Sequence, residues 1–129
     1  MNRTWRAVLL VCALVSVSAV STQGPGLNRV MHKKLVISQK ILEAVVTSRW
    51  IVLEAQSKEL EALTNDPEWM VLKAPEYAQQ SVIFRQAVRA LREAAIQRDL
   101  EATPQAYITV TLSCVQCHRY LARNRLARE

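Results

Sequence analysis

Glycine is nearly missing from this chain of 129 residues. Both glycines, Gly24 and Gly26, lie in Thr22-Gln23-Gly24-Pro25-Gly26, and about a hundred residues follow without another. A glycine-rich phosphate loop is therefore excluded. No convincing strand pattern stands in that stretch either. Aromatic residues make up 5% of the sequence and are not interleaved with the basic ones, which leaves nucleic-acid binding without support. Cysteine is scarce, with three in all. No apolar run approaches the roughly 20 residues that a membrane-spanning helix requires. Glu59 and Glu61 have no partners suited to acid–base work, and no activated nucleophile is apparent. The chain does not read as an enzyme.

The beginning of the chain reads as an export signal. Arg3 and Arg6 form a positive region, Ala7 to Val15 an apolar one, and Val17-Ser18-Ala19 a small-residue cleavage site. Residues 1–19 are expected to be removed, 20–26 to form a flexible lead-in and 27–129 to form one domain in the periplasm. Cleavage takes Cys12 away, and no stable membrane insertion is expected afterwards. Loss of Arg3 and Arg6 lowers the formal charge from +6 to +4. Cys114 and Cys117 are then the remaining thiols, with none to spare for a structural disulfide. Arg119, Arg123, Arg125 and Arg128 cluster near the end. They read either as a solvated helix terminus or as a basic rim that attracts an acidic partner protein.

What is abundant is Ala, Leu, Glu, Gln and Arg, the composition of packed helices. Four amphipathic segments carry helical periods. The first spans about Leu27 to Ser48, with Met31, Leu35, Ser38, Leu42 and Val45 on its inward face. The second spans about Trp50 to Leu63, with Leu53, Gln56, Leu60 and Leu63, and stops at Asn65-Asp66-Pro67. The third runs from near Pro75 to about Arg98, with Tyr77, Ser81, Phe84, Val88, Leu91 and Ala95. The fourth opens with Thr103 as N-cap and Pro104 in the first turn. Its stripe is Tyr107, Val110, Cys114, Cys117, His118 and Leu121. Short connections predict an all-α, up-down-up-down four-helix bundle.

That last stripe holds the sharpest motif, Cys114-Val115-Gln116-Cys117-His118. C-x-x-C-H is the pattern for covalent attachment of a c-type haem. Thiols three positions apart share a helix face and can each form a thioether to one vinyl group. The imidazole of His118 can turn back to the iron as axial base. A redox dithiol normally opens a helix in an α/β setting, whereas this motif lies well inside one. A structural zinc site would need four ligands, and Cys114, Cys117, His118 and His32 make a poor tetrahedral set. The expected cofactor is one haem c, held against the interior of the bundle near one end.

A secreted four-helix chain with this motif on its last helix resembles the class II cytochromes c, the group that contains cytochrome c-prime. The phrases Leu112 to Tyr120 and Met31-His32-Lys33-Lys34-Leu35 carry the likeness, which extends over the mature chain. The family's aromatic-then-basic pair after the haem histidine is offset by one here, as Tyr120 and Arg123. The resemblance implies two chemistries. One is a mono-haem electron carrier whose sixth ligand is a first-helix methionine, here Met31, serving redox partner proteins. The other is a high-spin haem protein with an open sixth site for NO or CO. His32 and Met70 are further candidates for the sixth ligand, and Met31 can also be read as core filler. Pairing of two copies through their first helices is another implication. Arg29, Lys33 and Lys34 could pair with haem propionates, although such charges are more often simply solvated.

Overall fold

The computed structural model describes residues 25–126, and the expected export signal, residues 1–19, lies outside them. The described residues contain four long helices and no strand. Helix α1 spans Pro25–Val46, α2 Trp50–Ala62, α3 Pro75–Gln97 and α4 Ala102–Leu126. A 3₁₀ turn, Leu63–Asn65, extends α2. The helix begins ahead of the expected Leu27 because Pro25 takes the first turn, where a missing N–H costs nothing. Consecutive helices pack together, and α1 also meets α4, which closes a four-helix bundle. Short links make neighbouring helices antiparallel.

Two of those links reverse the chain without glycine. Ser48 and Arg98 take left-handed backbone conformations, with φ of 52° and 55°. After α1, the Arg49 N–H donates to the Ala44 carbonyl and the Ser48 N–H to that of Val45. After α3, the Asp99 N–H donates to Ala94 and the Arg98 N–H to Ala95. Both are Schellman closures, which normally place glycine at the left-handed position. Both stops fall where helical spacing places the segment ends, at about Ser48 and Arg98, although neither position carries a glycine.

The expected stripe of α3 is correct throughout. Tyr77, Ser81, Phe84, Val88, Leu91 and Ala95 are all buried. On α2, Leu53 and Leu60 are buried as expected, but Ser57 rather than Gln56 lies fully inside. A small hydroxyl can sit where the chains approach, whereas the longer amide at 56 is only partly covered. The cap of α4 also differs from expectation. Asp99 Oδ1 accepts from the N–H groups of Glu101 and Ala102, at 2.9 and 2.8 Å. Thr103 lies buried inside the helix with its hydroxyl unpaired. The Asp99 carboxyl is held below its usual range by those two backbone bonds.

Helix α1 is rotated relative to the expected face. Its core side is Leu27, Val30, Ile37, Ile41 and Ala44, while Leu35 and Leu42 are 55% and 46% exposed. Both stripes have helical spacing, one residue apart, which is a rotation of about 100°. The β-branched stripe is the one that α2 and α3 enclose. Replacement of Ile41 by alanine should therefore cost about 2–5 kcal/mol, the usual range for a deep core deletion. Replacement of Leu42 should stay within about 0.5 kcal/mol, as at ordinary surface sites. Urea denaturation of the two variants measures both; equal losses would contradict the rotation.

Candidate functional site

The rotation of α1 turns its second stripe towards α4. Met31, Leu35 and Ser38 face Tyr107, Val110, Thr111, Cys114, Val115 and His118 across a cavity of about 680 Å³. A second cavity of about 360 Å³ lies next to it, with Leu27, Trp69, Tyr77, Cys117 and Leu121 in its wall. Met31, Lys34, His118 and Ala122 line both. The pair thus forms a trough between the first and last helices. Cavities of roughly 300–1,000 Å³ are the size that holds small molecules and cofactors. The trough exists because α1 and α4 pack less closely than the other neighbouring pairs. At one level the Tyr107 hydroxyl donates to the Ser38 carbonyl at 3.3 Å, joining α4 to α1.

The end wall is built by the connection between α2 and α3. Asp66 Oδ1 accepts from the Glu68 N–H and shapes the turn. Trp69 then folds inward and stacks on Phe84, with ring centroids 5.4 Å apart. Its indole N–H donates to Ser81 Oγ at 3.0 Å, and the Tyr77 hydroxyl donates to the Trp69 carbonyl. Ser81 Oγ donates in turn to the Tyr77 carbonyl at 3.0 Å. The side-chain polar atoms of Trp69, Tyr77 and Ser81 are all hydrogen-bonded, so the two large aromatic residues can be buried there. Burial, with the neighbouring Cys117, pushes the Tyr77 hydroxyl up to about 12.

Cys114 and Cys117 are both free thiols, and both are partly buried. One borders the larger cavity and the other the smaller. Burial pushes the Cys117 thiol up, against the opposing pull of the Lys34 charge. His118 is exposed to the trough. Partial burial and then the Lys34 charge push its imidazole below the ordinary histidine value. Below that value a histidine is neutral at neutral pH and keeps a lone pair for a metal, as ligation requires. No cluster of three or more His, Cys, Asp or Glu stands among the described residues to make a separate metal site.

These residues fit a covalently attached haem. The two thiols open on adjoining halves of one apolar trough, and the imidazole between them reaches both. Met31 faces His118 from the opposite helix and lines the same space. His32 is exposed and borders neither cavity. Met70 is 39% exposed and borders neither as well. Of the three sixth-ligand candidates, Met31 is the one placed in the trough.

The other charges divide clearly. Arg29 pairs with Glu68 at 2.6 Å, and Lys33 with Glu59 at 3.4 Å. Both pairs are on the outside and point away from the role considered for them. Lys34 is buried and faces the trough. It occupies the middle of the α1 core stripe, between Val30 and Ile37. A lysine at that register is the signal that it faces inward. Arg119 borders the larger cavity, and Arg123 is exposed. The side chains of Arg125 and Arg128 lie outside the described residues. No family model, no curated protein and no solved structure matches the chain.

Proposed function

We propose that the chain is an exported mono-haem c-type cytochrome that carries single electrons. The observation behind this reading is the convergence of Cys114, Cys117 and His118 on one apolar trough, with Met31 opposite. Haem would supply the one-electron Fe(III)/Fe(II) couple. The remaining work belongs to the chain. Cys114 and Cys117 would hold the cofactor, each as a thioether formed when its S–H adds across one vinyl double bond. His118 offers a neutral imidazole as proximal ligand. Met31 offers a thioether, a ligand type that raises the reduction potential. Val110, Tyr77, Trp69 and Leu121 keep water away from one side. Arg119, which borders the larger cavity, and the exposed Arg123 on the same helix favour an acidic redox partner protein.

A gas-binding role for an open sixth site rests on one feature. Met31 packs against the core on one side but is only partly buried and borders both cavities. Replacement of Met31 by alanine separates the readings. As the sixth ligand, its loss should open the site, lower the reduction potential and let CO bind the ferrous protein. As a lining residue alone, its loss should leave the spectrum unchanged. A wild-type ferrous spectrum that is already five-coordinate would move the protein to the gas-binding class.

A further inference from the structure

Lys34 is the one charged residue among those described that is buried, at 6% exposure. Its ammonium lies 4.1 Å from the centroid of the Phe84 ring and 5.0 Å from that of Trp69. Among the described residues no ion pair includes it, although Arg29 and Lys33 on the same helix each have one. Cation–π contact offsets part of the cost of burying a charge. The Lys34 side chain is buried along its stem and meets the cavities at its end, and cation–π contact does not supply a counter-anion there. The amine borders both cavities, and its charge acts on both Cys117 and His118. An apolar trough lined by Lys34 in both cavities, with Arg119 bordering the larger one, is suited to a flat, apolar molecule that carries acid groups.

We infer that Lys34 would be the anchoring cation for a carboxylate of the trough's occupant, namely a haem propionate. This rests on the haem reading of the same trough. The carboxylate completes an ion pair that the protein alone leaves open. Attachment at Cys114 and Cys117 fixes one edge of the cofactor, and Lys34 fixes the orientation of an acidic arm. Arg29 and Lys33 cannot share the task while Glu68 and Glu59 hold them. A free carboxylic acid in the same cavity would use the same chemistry, so the test has to read the propionate itself.

The haem-loaded protein is compared with its Lys34→Met and Lys34→Arg variants by resonance Raman spectroscopy and redox titration. Methionine keeps the length and apolar stem, and replacement of a buried charge by a hydrophobic residue is often tolerated. The expected result is a shifted propionate bending band and a lowered reduction potential in Lys34→Met, with the band returned towards wild type in Lys34→Arg. A merely structural lysine would not move that band. An unchanged band and potential in Lys34→Met would overturn the inference. So would butyrate binding by the wild-type protein that Lys34→Met abolishes while the band stays fixed, since the acid would then be a separate molecule. Failure of the chain to hold haem at all is a different outcome, because it removes the haem reading before any variant is compared.

Discussion

Replacement of His118 by alanine is expected to give a protein that remains coloured but has lost its wild-type spectrum. In the proposed arrangement attachment would use sulfur and iron ligation the imidazole, so the two functions would separate. The side chain is exposed along the trough and contributes little to the core, so the bundle should keep its stability. Both oxidation states should show an altered spin state. Added imidazole should restore much of the original spectrum by filling the vacated space. Among the described residues the other histidine, His32, cannot substitute, because it borders neither cavity. An unchanged spectrum in folded protein would mean that another residue supplies the axial base.

The second large effect is expected at the thiols. Cys114→Ala with Cys117→Ala should abolish covalent retention while leaving a helical protein. Neither sulfur is bonded to another, and each is only partly buried, so no structural link is lost. Each single variant should keep haem through one thioether and lose some yield. The Cys117 variant should also disturb the corner formed by Tyr77 and Trp69, because Cys117 faces that side. Covalent haem in the double variant would contradict the assignment.

Much of this arrangement was legible in the amino acids. Absent glycine, proline punctuation and helical spacing indicate four helices, and the stripe of α3 matches its buried face throughout. The core face of helix α1 was not legible, because the helix carries two apolar stripes one residue apart. Val30, Ile37 and Ile41 serve the core, while Met31, Leu35 and Ser38 serve the trough. A helix that packs on neighbours and also walls a cavity has apolar residues on more than one face. Periodicity alone cannot assign them. The cap of α4 was obscured for a similar reason. Thr103 followed by proline has the pattern of a helix start, yet Asp99 lies one turn earlier and its carboxylate accepts the first N–H groups.

The site was legible in its motif and less so in its walls. Cys114, Cys117 and His118 follow from spacing alone. Trp69 and Tyr77 come from a connection and from the next helix, far from the motif in sequence. Their place in the wall depends on how the turn at Asp66 folds back. Lys34 carries the opposite lesson. A charged residue on a surface helix is ordinarily solvated. Here the register of the core stripe brings its long apolar stem inside, and two aromatic rings receive the charge.

The account depends most on covalent attachment of haem to the chain. The direct measurement is acid–acetone extraction of protein produced in cells that mature c-type cytochromes, followed by the mass of the intact protein. The account predicts that colour stays with the precipitated protein and that the mass rises by one haem over the processed chain. Haem found in the organic phase, with a chain of unmodified mass, would contradict it.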